Sequence, residues 1–435
     1  MNDYYTRFIG RGDKIAVAVS GGRDSVALLH FLLQKSKEGG FTVLALNVEH
    51  GIRGETSLRD SAFVKELCSA WNVPLLAFSV DAPARARRDK LSMEQAARAE
   101  RYRVFDAVLA EKSADKIATA HHLGDNAETV LINLFRGASL KGAAGIPPRR
   151  NGIIRPFLTT SREEIDEYVI KNNLPFAEDE TNALTEITRN FIRGEVMPRL
   201  KEKFPEGERA VMRFCEIARE EDNYLEERAR ALITEGDGAY FLPVTAPKAL
   251  LRRAALLAIK QLGITADYGR IHADGVCRLA EAETGACLTL PEGIVARREY
   301  DRVALFAERA EPFAERPFAE GVYETQEGVL TIAACPLSEV AFGDGAFYAD
   351  ADKFEGAAIR TRREGDVFRK FGGKRKKLKE YFIDEKIPFR LRGGIPLIAR
   401  GKEILFSGRE ISEDVKLDER TERALKITYE TQRRR

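Results

Sequence analysis

Ser20-Gly21-Gly22-Arg23-Asp24-Ser25 stands where an apolar run of strand character, residues 14–19, gives way to an apolar run of helical length, residues 26–33. Serine and aspartate at the head of the second run are helix-start signals. Two glycines let the backbone approach a ligand closely, and the first N–H groups of a helix lack partners inside it. Such a turn cradles phosphate, helped by the positive end of the helix dipole. No Gly-Lys-Ser/Thr ending follows, which excludes the phosphate loop of kinases and GTPases. Asp24 sits where their lysine would be useful, and an acid beside phosphates points to a bridging magnesium ion.

Outward from this turn, strand-like and helix-like segments alternate. Residues 42–48, 75–80 and 116–120 read as strands, and 56–71, 92–112 and 125–135 as helices. This alternation predicts an α/β fold, a doubly wound parallel sheet with helices on both faces. Ligands of such sheets bind at the carboxyl ends of strands. The SGGRDS turn, Glu49-His50-Gly51 and His121-His122 all fall at such ends. Past Pro198 the alternation stops. Residues 207–234, 247–263 and 270–283 read as helices, and 288–291 and 303–306 as short strands. A Glu/Ala/Pro-rich stretch follows, and then several short strands with glycine turns. The expected organisation is a catalytic domain 1–205, a mostly helical middle domain 206–310, a linker 311–327 and a small α+β domain 328–435.

The chain of 435 residues has 44% hydrophobic and 32% charged residues, as soluble globular proteins do. No apolar run approaches the ~20 residues of a membrane helix, and the N-terminus lacks the apolar core of a signal peptide. A cytoplasmic protein without membrane contact is expected. Five scattered cysteines with no Cys-x-x-Cys pair indicate neither a disulfide framework nor a zinc site. A net charge of +2 says little, but its distribution says more.

His121-His122-Leu123-Gly124-Asp125-Asn126-Ala127-Glu128-Thr129 follows the fourth strand and opens a helix. Asp125 and Glu128 share a face at i,i+3. Asp125 could also cap the helix, and capping is compatible with chemistry, which the position at the strand end favours. In residues 94–102, Glu94, Arg98, Arg101 and Tyr102 lie on neighbouring turns. Arg98 could pair bidentately with phosphate, or with Glu94 at i,i+4. Arg155-Pro156-Phe157, Asp179 and Arg189-Asn190-Phe191-Ile192-Arg193 would by themselves be ordinary surface, with Arg189 and Arg193 on one helical face. Residues 360–379 hold ten Lys/Arg against Glu364 and Asp366, a net of +8, interleaved with Phe368, Phe371 and Leu378. Such a patch suits a polyanion.

SGGRDS (20–25), VEHGIRG (48–54), EQAARAERY (94–102), AHHLGDNAETVL (120–131), RPF (155–157), RNFIRGEVMPRL (189–200) and KKLKEYFIDEKIP (376–388) together resemble the tRNA(Ile)-lysidine synthetase family of PP-loop ATP pyrophosphatases. The resemblance spans nearly the whole chain, although the middle matches only in character. It implies the adenine-nucleotide-hydrolase type of fold and an ATP-magnesium-dependent reaction. The oxygen on carbon 2 of the wobble cytidine, in an isoleucine tRNA with a CAU anticodon, is adenylated. The ε-amine of free L-lysine then displaces AMP. By the same resemblance Ser20, Gly21, Gly22, Arg23 and Ser25 hold ATP, and Asp24 holds magnesium. Arg98 serves the α-phosphate, and His121, Asp125 and Glu128 form the second catalytic motif. Arg101, Arg189, Asn190 and Arg193 face tRNA or lysine, as do Lys374, Arg375, Lys376, Lys377 and Lys379. A homodimer is compatible with the sequence. Two departures from the family pattern are Gly124, at a place often acidic, and the turn Arg136-Gly137-Ala138-Ser139, commonly richer in glycine.

Three rivals compete with this reading. A tRNA thiolase of the same superfamily would need cysteines near the site, and only Cys68 lies in the first 200 residues, in a helix turned away from the rim. An RNA-binding protein without catalysis would have no use for intact Ser20, Asp24, Asp125 and Glu128. An amidotransferase would need a glutaminase domain with its nucleophilic cysteine at the start of the chain.

Overall fold

The structure, a computed structural model, describes residues 3–52, 55–177, 187–264, 268–307, 313–325, 328–341, 343 and 345–431. The chain divides into residues 1–224 and 225–435. Asp179 of the expected set lies outside the described residues.

In the first unit the elements are β1 (Lys14–Ala18), α1 (Arg23–Gly39), β2 (Thr42–Glu49), α2 (Glu55–Ala70), β3 (Leu75–Ser79), α3 (Ala82–Asp89), α4 (Met93–Ala110) and β4 (Lys116–Ala118). There follow α5 (Leu123–Phe135), α6 (Leu140–Ala143), β5 (Arg149–Arg150), β6 (Ile153–Ile154), α7 (Arg162–Lys171), α8 (Ile187–Phe191) and α9 (Met197–Lys203), and α10 (Gly207–Arg230) runs across the division at 224. The sheet order is β3-β2-β1-β4-β6-β5. Neighbours are parallel from β3 to β6, and β5 is an antiparallel edge. Both faces are covered, and the alternation of side chains along each strand shows it. Ile15 and Val17 join Leu28, Leu29 and Leu32 of α1 and Ile165 and Val169 of α7 in one core. Ala16, Leu44 and Leu46 join Val104, Phe105 and Val108 of α4 in the other. The strand order reverses between β1 and β4, and at such a switch point the rim opens into a crevice. Cys68 is buried in the first core, away from that crevice.

In the second unit a middle region pairs α11 (Lys248–Gln261) and α12 (Arg270–Glu281) with a five-stranded antiparallel sheet. Its strands are β7 (Thr234–Gly236), β8 (Ala239–Pro243), β9 (Cys287–Thr289), β10 (Ile294–Glu299) and β11 (Arg302–Ala307). The sheet is larger than the two short strands expected. Glu235 in β7 and the adjacent Arg297-Arg298 in β10 dilute the strand pattern. The C-terminal region is α+β, with a six-stranded and a four-stranded sheet and short helices Leu378–Asp384 and Phe389–Arg392. The stretch expected as a linker contributes Arg316–Pro317 to one of these sheets and Gly321–Glu324 to the other. Buried apolar residues collect in separate cores, one from Ala229 to Leu305 and others between Leu330 and Ile427. On that separation we propose the finer division into 206–310 and 328–435. Among the described residues no helix is long and apolar enough to cross a membrane.

Candidate active site

The turn after β1 is shaped by its own hydroxyls. Ser25 Oγ donates to the Gly22 carbonyl at 2.8 Å, accepts from the Ser20 N–H at 3.2 Å and lies 3.3 Å from Ser20 Oγ. Gly21 has φ +90°, where a side chain is strained, and a Cβ there would meet Phe63 at 3.4 Å. Gly22 is the N-cap of α1 with no side-chain cap, so the opening N–H groups of the helix remain donors for a ligand. Two charges of the loop are braced from α7. Arg23 donates to Asp166 at 2.8 Å, and Arg162 reaches both Asp24 oxygens at 2.7 Å. Arg162 and Asp166, one turn apart, also pair at 3.4 Å. Sequence reasoning missed both. The only local hints were the Ser161/Glu164 capping box and the i,i+4 Arg/Asp spacing.

At the end of β4 the two histidines part company. His122 is buried and caps α5: its Nδ1 accepts from the Gly124 N–H at 3.1 Å, while its own N–H donates to Asp125 at 3.1 Å. A Cβ on Gly124 would press on that ring at 3.0 Å, so any side chain here needs the His122 ring to give way. His121 has its Nδ1 3.0 Å from Thr119 Oγ1 and faces Asp125, Arg98, Arg155 and Arg189. The turn at 136–139 closes α5 with Gly137 at φ +75°, a left-handed C-terminal cap.

Asp125 and Glu128 do share a face, and Arg189 and Arg193 reach it from α8 and the π-helical turn Ile192–Val196. Arg193 donates to Glu128 at 2.7 and 3.0 Å and to Asp125 at 2.9 Å; Arg189 donates to Glu128 at 3.3 Å and to Thr129 at 2.9 Å. Pro198 has no N–H to return to the helix, and Met197 N–H reaches five residues back to Ile192. This widened turn carries Arg193. Burial would raise the Asp125 carboxyl, but the two histidines, the His122 N–H and Arg193 outweigh it and hold Asp125 below the usual range. On α4, Arg98 stacks on Tyr102, 5.0 Å from the ring centroid, rather than pairing with Glu94, and Arg101 lies 3.2 Å from His50.

His50 and His121 share an acid liability. Burial, with Arg101 beside His50 and Arg155, Arg98 and Arg189 beside His121, pushes each pKa from 6.5 down to about 4. The unfolded chain therefore takes up protons below about pH 6.5 that the folded chain refuses until about pH 4. Stability is unaffected above this window and falls as pH drops through it. Urea midpoints measured from pH 8 to pH 4 should show this decline, and His121→Asn should flatten it. An unchanged slope in the variant would refute the burial cost assigned to His121.

The basic run is not one solvated face. Arg360 is buried against Asp366 at 2.8 Å. Arg375 pairs with Glu403 at 2.7 Å and Asp414 at 3.2 Å, and Lys376 pairs with Asp384 at 2.6 Å. Phe368 and Leu378 belong to the core. Lys374, Lys377 and Lys379 are exposed and make no ion pair among the described residues. Arg155, read as ordinary surface, is only 4% exposed.

Residues 3–200 match the family model of the PP-loop domain, and residues 357–426 that of the TilS substrate C-terminal domain. The chain is similar to the tRNA(Ile)-lysidine synthase of Caldanaerobacter subterraneus subsp. tengcongensis, 35% identical over 97% of this chain and 94% of that protein. The proteins of the same name from Dehalococcoides mccartyi and Clostridium tetani are 33% and 31% identical, each over 97% of this chain and 96% and 95% of their own lengths.

Proposed function

We propose, from the premise that this chain belongs to the tRNA(Ile)-lysidine synthase family of PP-loop ATP-using ligases, that it joins free lysine to the wobble cytidine of a CAU-anticodon isoleucine tRNA through an adenylated base. The observation that carries this reading is the adjacency of two unlike sites at the switch point. An anion cradle follows β1, and a carboxylate pair held by arginines follows β4.

The division of labour follows from charge. Ser20, Gly21, Gly22 and Ser25 grip the pyrophosphate of ATP through hydroxyl and backbone groups. Among the described residues no three His, Cys, Asp or Glu side chains gather, and Asp24 is the carboxylate that the cradle loop itself carries. That donor set fits magnesium, which binds through one or two carboxylates plus substrate phosphates and keeps waters. Bound there, magnesium would neutralise phosphate charge. Asp24 would exchange Arg162 for it. Arg98 meets charge at the α-phosphate. A pyrimidine carbonyl oxygen leaves poorly and an adenylated one leaves well, so the base is activated before lysine attacks carbon 2.

Asp125 and Glu128 take the lysine ammonium, displacing Arg189 and Arg193 towards the tRNA together with Asn190. Asp125, acidified by its neighbours, anchors the ammonium better than it removes a proton. Loss of the ammonium proton is left to burial, which disfavours the charged amine, with solvent taking the proton before attack. The chain works in the cytoplasm on this reading. Its test is mass spectrometry of CAU-anticodon isoleucine tRNA after incubation with enzyme, ATP-magnesium and labelled lysine. Lysine on the wobble cytidine with equimolar AMP is the expected result. ATP cleavage without incorporation would overturn the acceptor.

On the C-terminal region we assign phosphate contacts to Lys374, Lys377 and Lys379. Reversing these three should weaken tRNA binding and reduce the slope of log affinity against log salt by about one for each phosphate no longer neutralised. Arg375→Ala and Lys376→Ala, which break ion pairs within the domain, should change that slope much less. Equal effects from both groups would return the whole segment to undifferentiated surface charge.

A further inference from the structure

Arg155 follows β6, one strand beyond β4 on the side away from the phosphate cradle. It is 4% exposed, yet no carboxylate pairs with it among the described residues. One terminal nitrogen donates to the Pro147 carbonyl at 2.7 Å, and the side chain also hydrogen-bonds Tyr102. Its Nε is buried with no hydrogen-bond partner. Tyr102 accepts from Arg98 at 3.4 Å, which links two guanidinium groups through one hydroxyl. His121 faces both of them, and an imidazole has no negative charge to offer either. Burying a guanidinium without an anion is costly, and an unsatisfied buried donor adds to that cost. The arrangement lacks one small planar oxyanion.

We infer that Arg155, with the Tyr102 hydroxyl beside it, binds the α-carboxylate of the incoming free lysine. The inference rests on the reading that lysine is the acceptor amine donor. Three observations select this anion. The nucleotide phosphates have their own cradle after β1, two strands and roughly 10 Å away. A side chain this buried is closed to the backbone of a polynucleotide, which leaves a small free anion as its partner. The carboxylate pair Asp125/Glu128 lies beside it, after β4, so one extended lysine can present its amine to the acids and its carboxylate to Arg155. A guanidinium fork matches a carboxylate in plane and spacing. The site thereby selects for a whole amino acid rather than for any primary amine.

The test compares lysine with 1,5-diaminopentane, which keeps the chain and amine and lacks the carboxylate. Wild-type enzyme should prefer lysine by at least about a hundredfold in kcat/KM, since a site built to bind a group rejects the analogue lacking it. In Arg155→Gln the KM for lysine should rise at least about thirtyfold, while kcat/KM for the diamine stays within about threefold, so the preference collapses. KM for ATP and Kd for tRNA should not move. Arg155→Lys keeps the charge without the fork and should fall between; it serves if the glutamine variant does not fold. Retention of the lysine preference in both variants would overturn the assignment. So would a rise in tRNA Kd with a shallower salt slope, which would give Arg155 to a tRNA phosphate. Absence of lysine incorporation by the wild type would overturn the proposed function itself, and this inference with it.

Discussion

Asp24→Ala is expected to lower AMP release by at least about a thousandfold while changing tRNA affinity no more than about twofold. The variant should fold. The Arg162–Asp24 pair is partly open, with side chains 39% and 29% exposed, and such pairs contribute only about 0–1 kcal/mol. The loop also keeps the Ser25–Gly22 and Ser20–Ser25 hydrogen bonds and the Arg23–Asp166 pair. What is lost is the carboxylate carried by the cradle loop, and with it the anchor for the metal on the phosphates. Single-turnover AMP release, alongside filter binding of tRNA, separates the two quantities. Turnover within about tenfold of wild type would remove Asp24 from magnesium binding.

Glu128→Gln should lower kcat/KM for lysine by about a thousandfold or more and destabilise the protein by about 3 kcal/mol. Both effects have one cause. The Glu128 side chain is 5% exposed and is the common partner of Arg189 and Arg193. The amide keeps the shape but removes the charge, leaving two arginines against Asp125 alone. A substrate ammonium then meets a cluster whose net charge has risen by one. Arg193→Ala separates structure from chemistry, because its side chain is 45% exposed and its loss is relieved by water. A double-mutant cycle in urea should show a coupling of about 1–3 kcal/mol between Glu128 and Arg193. Additive effects would mean the observed ion pair carries no energy. Full lysine transfer by Glu128→Gln would dissociate the residue from the amine.

The parallel sheet was legible because fully buried strands read as unbroken apolar runs, KIAVAV and TVLALNV above all. The cradle was legible because much of its chemistry is local: the serine hydroxyl bonds that shape it fall within residues 20–25. The bracing by Arg162 and Asp166 was not, since their partners lie 138 and 143 residues earlier and no periodicity spans that gap. Arg155 was read as surface for the same reason. An arginine between strand and proline looks exposed until neighbouring strands bury it. Within the run 360–379 the sequence could not separate paired from free charges: Arg375 and Lys376 are met by Asp384, Glu403 and Asp414 from farther along the chain, while Lys374, Lys377 and Lys379 stay exposed. His121 and His122 are indistinguishable by type, and only the cap geometry separates them. In the middle region, Arg297-Arg298 concealed a strand whose edges carry charge.

The order of strands in the first sheet bears on how such an enzyme changes over time. The charges of the cradle are braced from α7, and its backbone is held by its own hydroxyls and by the Ala177 N–H just beyond α7. The residues assigned to the acceptor come from α4, α5, α8 and the ends of β4 and β6. The two sets share a wall and little else. Replacing the second set leaves the first with its backbone hydrogen bonds and its charge bracing intact. Nucleotide activation is thus inheritable as a fixed module, and the choice of what is activated, and of what attacks it, is free to diverge on the other side of one strand boundary.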